Sequence, residues 1–272
     1  MQMRNFFRKE LDKIIKIVNE EIIEIEEVYL KGSLCKEDSN VDFWSDIDLA
    51  FVLGDKYDVK EFNVNTIIEE LGNIVAYEEF EADNIVLKRV FLQGEKIGYS
   101  LDIMILNRVN LSSDILGEES QLIMSNRKSQ VSDEVHINTE IIEEQGDEYI
   151  SDKNINEFWF KVVVAIKKIM RNDNLIGVHL VLDIIRELIV LQMINRDIKK
   201  GTSIHRYGDD EQIDILNKIN INSEKINKES LLDIIDECAK YYDDEVSKLV
   251  NNYDNRYIYI KKYIEDSRSK IK

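Results

Sequence analysis

The chain has 272 residues, of which 44% are hydrophobic and 33% charged, and its formal net charge is -18. This apolar fraction is sufficient for a packed core and excludes a wholly disordered chain. No apolar run approaches the roughly 18 residues of a membrane span, and the N-terminal stretch lacks the apolar segment of a secretory signal. Cys35 and Cys238 match no zinc or disulfide spacing, so we expect a soluble protein of the cytoplasm.

The charge is distributed unevenly along the chain. Residues 1–150 carry the whole of the -18, and residues 151–272 sum to zero. Nucleic-acid binding depends on Lys and Arg that neutralise phosphates, so an acidic front half argues against it. The same charge suits a cationic ligand, although an acidic surface that only aids solubility is an equally simple interpretation.

The front half alternates between helical and strand patterns. Apolar positions at steps of three and four predict helices, and short apolar runs between turn residues predict strands. The predicted elements, in chain order, are a helix at 4–26, a strand at 28–30, a strand at 48–53, a helix at 58–75, two strands at 85–92 and 97–106 that form a hairpin, and a further strand near 121–124.

The rear half has helical periodicity throughout. Its predicted helices are at 156–170, 175–195, 209–219 and 228–250, with a last one from about 255. We therefore predict an α+β fold, with a small mixed sheet and flanking helices in a domain at 1–150 and a helical bundle at 151–272.

Two aspartates open the second predicted strand. Residues i and i+2 of a strand point to one face, so Asp46 and Asp48 project together while Ile47 turns to the core. Two adjacent carboxylates repel each other unless a cation lies between them, and Mg²⁺ is bound by one or two carboxylates plus phosphate oxygens. This spacing suits a magnesium site, and its alternative is an Asp-x-Asp that is only an edge or turn feature of the strand.

The end of the first predicted strand supplies the other half of a phosphate cradle. Gly32 allows a backbone to approach a ligand closely, and Ser33 adds a hydroxyl donor. Asp102 interrupts a later apolar strand, where a charge is costly unless it is paired or bound to metal. The alternative for Asp102 is an edge strand with the carboxylate in solvent. Together the four positions predict a site for a metal-bound triphosphate.

The segment GSLCKEDSNVDFWSDIDLAFVLG, followed later by LDIMIL, resembles the nucleotidyltransferase superfamily. Its signature is Gly-Ser, a gap, Asp-x-Asp and a third acid on a later strand. The helical half is similar to the antibiotic nucleotidyltransferases, above all the aminoglycoside 6-adenylyltransferases that modify streptomycin. The segments that carry this narrower similarity are Phe158-Trp159, Lys167, His179, Arg186-Glu187-Leu188, Tyr253-Asp254-Asn255-Arg256 and Lys262-Tyr263.

The resemblance implies transfer of AMP from ATP to a hydroxyl of a small cationic antibiotic, with release of pyrophosphate. It implies that Asp46, Asp48 and Asp102 are catalytic and bind Mg²⁺, with two ions expected. Many relatives have an arginine shortly after Gly-Ser, where this chain has Lys36. The expected nucleotide-binding residues are Gly32, Ser33, Lys36 and Lys167.

The helical domain is expected to bind the acceptor through Glu187, His179 and Trp159. Each of these has a plainer interpretation: an ion pair of Glu187 with a neighbour such as Arg186, a core histidine, and aromatic packing in the core. Lys167 is equally well explained as a lysine whose stem packs on apolar surface. Either Asp102 or Glu187 could act as the general base.

Three other functions remain open at this level. The acceptor could be a lincosamide or another small molecule, or it could be the partner protein of a toxin–antitoxin pair. The chain could also be a catalytically silent nucleotide-binding homologue. Three clustered acids argue against the silent homologue, because their mutual repulsion has no evident use without a metal.

Overall fold

A computed structural model describes residues 2–82, 84–117, 119–126, 150–200 and 227–271. The chain divides into two compact units, Met1–Gly146 and Asp147–Lys272. Among the described residues the first unit contains a six-stranded sheet, and the second contains helices alone, as an α+β fold requires. The predicted helix at 209–219 lies outside the described residues.

The first unit contains three α-helices and six strands in its described part. In chain order they are α1 (Gln2–Glu21), β1 (Ile25–Lys31), β2 (Asp46–Leu53), α2 (Asn65–Leu71), β3 (Asn73–Ala82), β4 (Ile85–Gln93), β5 (Gly98–Asn107), α3 (Ser113–Leu116) and β6 (Ser120–Ser125). A 3-10 turn at Gly32–Leu34 follows β1 directly.

The strands lie in the order β3-β4-β5-β2-β1-β6. Only β2 and β5 run parallel, and the other neighbours are antiparallel. The parallel pair is at the centre of the sheet, so the ends at which β2 and β5 begin lie side by side. The hairpin that the sequence predicts is β4–β5, in which Gln93 pairs with Gly98.

The two faces of the sheet are packed differently. One face carries the large core, in which Ile47 and Leu49 of β2 are packed with α1 residues such as Phe7 and Ile14. The other face carries a small cluster around Ala50, with α3 and the loop before it packed against it. Because alternate residues share a face, Asp46 and Asp48 lie on the second face, which is only partly covered.

Two predictions about the front unit were inaccurate in extent, and one strand was missed. The first helix ends at Glu21 and β1 begins at Ile25, so the apolar spacing that continues to Ile25 belongs to a strand. The second helix covers only Asn65–Leu71. Strand β3 was not predicted, because its outer half is acidic and exposed and its start had been assigned to that helix.

The second unit contains four helices in its described part: α4 (Asp152–Met170), α5 (Asn174–Lys200), α6 (Lys228–Leu249) and α7 (Tyr257–Arg268). Ser151 caps α4 by accepting a hydrogen bond from the backbone N–H of Asn154, and Asn227 forms a capping box with Ser230 at α6. Both caps satisfy N–H groups that a helix leaves without intrahelical partners.

A buried polar chain joins these helices. Trp159 Nε1 donates to Tyr253 Oη at 2.9 Å, and Tyr253 Oη donates to Asp243 Oδ1 at 2.9 Å. Burial raises the pKa of the Asp243 carboxyl, while hydrogen bonds from the backbone of Arg256, Tyr253 Oη and the backbone of Tyr257 oppose the rise. Trp159 and Asp243 are both almost fully buried, so the chain ties α4 and α6 to the segment before α7.

Candidate functional site

The candidate site begins at the first residues of strand β2. Asp46 and Asp48 are half-buried on the partly covered face, and the side chain of Ile47 between them is fully buried in the large core. Burial of Ile47 fixes the strand's orientation, since a shift of one residue would move the carboxylates into the core. The packing of β2 therefore holds both carboxylates on one face.

Strand β5 brings the third carboxylate beside them. In the parallel ladder Asp48 pairs with Asp102, and Asp46 pairs with Ser100. Paired residues of neighbouring strands point to the same face, so Asp48 and Asp102 lie next to each other. Like charges in this position are unfavourable without a counter-charge, which is the condition that a bound cation relieves.

Gly32 lies directly against Asp48. Its φ is +67°, a conformation that favours glycine, and a Cβ built at this position would lie 2.4 Å from Asp48 Oδ2. Any side chain here would collide with the carboxylate. The glycine therefore serves two purposes: it allows the turn from β1 into the 3-10 segment that carries Ser33, and it leaves space at Asp48.

Two of the three site carboxylates, those of Asp48 and Asp102, lie in a row of charges that crosses the sheet. From β3 to β1, the register pairs Glu78 with Arg89, Arg89 with Asp102, Asp102 with Asp48, and Asp48 with Lys31. Arg89 Nε donates to Asp102 Oδ2 at 3.0 Å, and the other side of its guanidinium forms an ion pair with Glu78. Negative and positive side chains alternate along this row, except that Asp102 and Asp48 are neighbours of the same charge.

Lys31 is the last residue of this row and lies on the side of Asp48 opposite Asp102. Its Nζ donates to the carbonyl oxygen of Ile115 at 3.1 Å. Burial lowers the pKa of this ammonium, and the negative charge of Asp48 partly opposes the change. A positive charge is thus held between the aspartate and the segment that contains α3.

The donor set suits a hard divalent cation. Carboxylate oxygens on a face that is half-buried, beside a glycine that leaves room, are what Mg²⁺ with a phosphate ligand requires. Within the described ranges, no group of three or more His, Cys, Asp or Glu side chains is placed so that it could hold a metal ion by itself. Two paired carboxylates would leave the other coordination positions of a divalent ion to phosphate oxygens and water, so the residues present fit a metal that arrives with its nucleotide.

The remaining front residue, Lys36, is exposed and forms an ion pair with Glu119. The hydrogen bond that Lys36 donates to Glu119 raises the pKa of Lys36, so the ammonium is charged at neutral pH. It follows the Gly32–Leu34 turn by two residues, on the same short segment as Ser33. A phosphate contact by Lys36 would require it to leave or share Glu119.

In the second unit, Glu187 lies at the rim of a cavity of about 230 Å³. Lys161 Nζ donates to Glu187 Oε1 at 3.1 Å, and Arg186 donates to the same oxygen at 3.0 Å. Lys161 also contacts Asp183 at 2.6 Å. Glu187 therefore forms the ion pair with Arg186 that the plainer interpretation predicts, within a network of four charged residues on α4 and α5.

The other side chains of the second unit differ in exposure. His179 is exposed on α5, which does not fit a core histidine, and Lys167 is almost buried on α4. Trp159 is fully buried and its N–H is bonded to Tyr253, so its observed position suits packing rather than direct contact with a substrate. The cavity instead has the ring of Phe158 in its wall, stacked on Tyr242 with 3.5 Å between centroids.

Sequence reasoning missed Arg89, Glu78 and Lys31. The signal for Arg89 was the same as for Asp102, a charge within an apolar strand. It was ambiguous because Lys88 and Arg89 are adjacent and so occupy both faces of β4. Only the register shows that Arg89 is the one on the face of the aspartates.

The family model for streptomycin adenylyltransferase matches residues 3–208. This range contains the Gly32–Ser33 turn and all three aspartates, and it extends into the helical unit. The family match and the α+β fold are consistent with an antibiotic nucleotidyltransferase. The chain belongs to the streptomycin adenylyltransferase family.

No curated protein matches the sequence. Across the helices that the structure describes, none combines the length and the apolar character needed to cross a bilayer. Cys35 and Cys238 are both free thiols, the first half-buried and the second buried.

Proposed function

We propose that this protein transfers AMP from Mg·ATP to a hydroxyl of a streptomycin-like aminoglycoside and releases pyrophosphate. One observation carries the proposal: Asp48 and Asp102 are paired on parallel strands, beside a glycine that only just clears Asp48, in a chain of an adenylyltransferase family. The family supports an adenylyl donor and an antibiotic acceptor, and the site supports metal-assisted chemistry.

Asp46, Asp48 and Asp102 would hold the metal, and Gly32 and Ser33 would bind the β- and γ-phosphates. When bound, Mg²⁺ supplies positive charge to the phosphoryl oxygens during an in-line displacement. The acceptor oxygen forms a bond to the α-phosphorus, and the bond from that phosphorus to the pyrophosphate oxygen breaks. Lys36 and Lys167 would neutralise phosphate charge.

The proton of the acceptor hydroxyl passes to Asp102 or Glu187 in this scheme. Asp102 lies in the row of charges with Asp48, which suits a metal ligand. Glu187 is bonded to Lys161 and Arg186 at the cavity of about 230 Å³ in the second unit. Loss of a general base costs typically 10²–10⁴-fold in rate, whereas loss of a metal ligand removes the charge that the reaction requires.

The charge of the front half supports a cationic acceptor. Residues 1–150 carry a net -18, so a molecule with several ammonium or guanidinium groups is attracted to this part of the chain. The same field repels free ATP, and a divalent cation is needed to offset the repulsion. A lincosamide, with fewer positive charges, would gain less from this attraction.

The proposal is tested by incubating the protein with ATP, Mg²⁺ and a panel of streptomycin, other aminoglycosides and a lincosamide. Mass spectrometry should find one added AMP on streptomycin, with an equal amount of pyrophosphate released. Asp48→Asn is the negative control. AMP transfer to the lincosamide alone would overturn the aminoglycoside assignment, and no transfer to any acceptor would overturn the enzymatic one.

A further inference from the structure

We infer that Arg89, braced by Glu78, is a positioning residue that fixes the Asp102 carboxylate for metal binding. This inference rests on the proposed function, because it gives Asp102 the part of a metal ligand. Arg89 touches neither nucleotide nor acceptor in this account and acts only through Asp102. The observations that carry it are the contacts of one guanidinium with two carboxylates on neighbouring strands.

The guanidinium bridges two strands through separate N–H groups. Its Nε donates to Asp102 Oδ2, and its Nη1 contacts Glu78 Oε1. All three side chains are mostly shielded: Arg89 is 34% exposed, Asp102 17% and Glu78 21%. A planar guanidinium can satisfy two acceptors in fixed directions, which a single ammonium cannot do.

The bond to Oδ2 restricts rotation of the Asp102 carboxylate. With Oδ2 accepting from Arg89 on β4, the Asp102 carboxylate is held in one orientation. Asp48 is the register partner of Asp102 on the other side, on β2. Residues that hydrogen-bond to a metal ligand act in this way, by fixing the orientation of the ligand.

Glu78 has a separate effect on charge. A lone arginine beside Asp102 would cancel the charge that attracts a cation, but Glu78 offsets the arginine on its far side. The Glu78–Arg89 pair is neutral as a unit, so Asp48 and Asp102 together keep two negative charges. The pair thus contributes orientation while leaving the electrostatic attraction for a divalent cation nearly unchanged.

The same two strands offer a matched control on the opposite face. Lys88 Nζ bonds to Glu79 Oε2 at 2.6 Å, and these residues are the next register pair along β3 and β4. Lys88 also lies over the ring of Tyr77, at 4.8 Å from its centroid. Removal of this pair disturbs the same strands to a similar degree without touching the aspartates.

The test compares three variants of the full chain with the wild type. Arg89→Lys keeps the charge and loses the bridge, and the double variant Glu78→Gln/Arg89→Gln loses the bridge with no change in net charge. The double variant Glu79→Gln/Lys88→Gln is the control. Mn²⁺ binding in the presence of ATP is measured by electron paramagnetic resonance, and kcat and KM are measured with streptomycin.

We expect both bridge variants to bind Mn²⁺ about 10- to 100-fold more weakly than the wild type. This is the usual loss of metal affinity when a residue that hydrogen-bonds to a metal ligand is replaced. We expect kcat to fall similarly while the KM for streptomycin stays within about twofold of its wild-type value, because the acceptor contacts are intact. The control should keep wild-type Mn²⁺ affinity. Far-UV circular dichroism verifies folding. If the double variant Glu78→Gln/Arg89→Gln does not fold, the Mn²⁺ affinity of Arg89→Lys alone tests the inference.

Wild-type or tighter Mn²⁺ binding by Arg89→Lys overturns the inference, as does an equal loss of affinity in the control. These outcomes are separable from failure of the proposed function. If the wild type binds Mn²⁺ with ATP but adenylylates no acceptor, the function fails and the Mn²⁺ comparison still judges Arg89. If the wild type transfers AMP and Arg89→Lys matches it in both measurements, only the inference about Arg89 fails.

Discussion

At the scale of single residues, the candidate site is built on two like-charged carboxylates that the strand register places side by side. Asp48 is bounded by Gly32, by Asp102 on β5 and by Lys31 on β1. Each neighbour restricts what can occupy the space: the glycine excludes side-chain bulk, the second aspartate favours a cation, and the lysine limits the negative charge. A divalent ion with a phosphate satisfies all three conditions.

Asp46→Asn and Asp48→Asn should each abolish AMP transfer while leaving the fold intact. The amide keeps the shape of the side chain but removes the charge that a metal ligand needs, and neither aspartate lies in the large core. Pyrophosphate release measures the activity, and thermal unfolding verifies the fold. Near-normal turnover by either variant with Mg²⁺ would show that the aspartates are not the ligands.

Gly32→Ala should be inactive for a steric reason that a control can isolate. Its Cβ would lie 2.4 Å from Asp48 Oδ2, and its φ of +67° adds a strain of about 1–2 kcal/mol. Gly117 has a φ of +80° and no heavy atom within 4 Å of a built Cβ. Gly117→Ala therefore introduces the strain of a positive φ without a close contact between the new Cβ and another side chain.

We expect Gly117→Ala to keep AMP transfer within a fewfold of the wild type and Gly32→Ala to lose it. Steady-state kinetics on both variants, with unfolding by urea to verify stability, makes the comparison. Equal activity of the two variants would mean that space beside Asp48 is not required.

At the scale of elements, the sequence predicts the strands of the site better than their arrangement. The alternation of Asp46, Ile47 and Asp48 is local, so the shared face of the two aspartates follows from the sequence and is observed in β2. The parallel pairing of β2 with β5 joins residues far apart in the chain, and no local pattern specifies it. The sequence therefore predicts that Asp102 is unusual, but not that Arg89 is its partner.

The predicted boundaries of helices and strands were wrong where both faces of an element are apolar. Strand β1 lies between β2 and β6 and has buried residues on both faces, so it lacks the alternation that identifies a strand. Its first apolar residue, Ile25, continues the helical spacing of α1 and was assigned to it. Val59 is buried in the core from an irregular segment that the same spacing had predicted as helix.

Tyr253→Phe should destabilise the helical unit more than Tyr257→Phe. The first change leaves Trp159 Nε1 and Asp243 Oδ1 without their bonds to a buried hydroxyl, at a cost of about 1–3 kcal/mol. The hydroxyl of Tyr257 bonds to Asp236 in a less buried setting. Urea unfolding of both variants measures the difference, and equal stabilities would show that the buried chain contributes nothing specific.

At the scale of the whole molecule, the uneven charge predicts a dependence on salt. With -18 in residues 1–150 and zero in the remainder, the acceptor's attraction to the protein is screened as ionic strength rises. We expect kcat/KM for streptomycin to fall severalfold between low and high salt while kcat changes little. A kcat/KM that does not depend on salt would assign the acidic composition to solubility alone.

The most direct test of the account is the binding of Mn²⁺ with ATP to the wild type, Asp48→Asn and Asp102→Asn, measured by electron paramagnetic resonance. If the two carboxylates share a divalent ion, the wild type binds and each variant loses most of its affinity. If either variant binds Mn²⁺ as tightly as the wild type, aspartates 48 and 102 hold no common ion and the proposed chemistry is wrong.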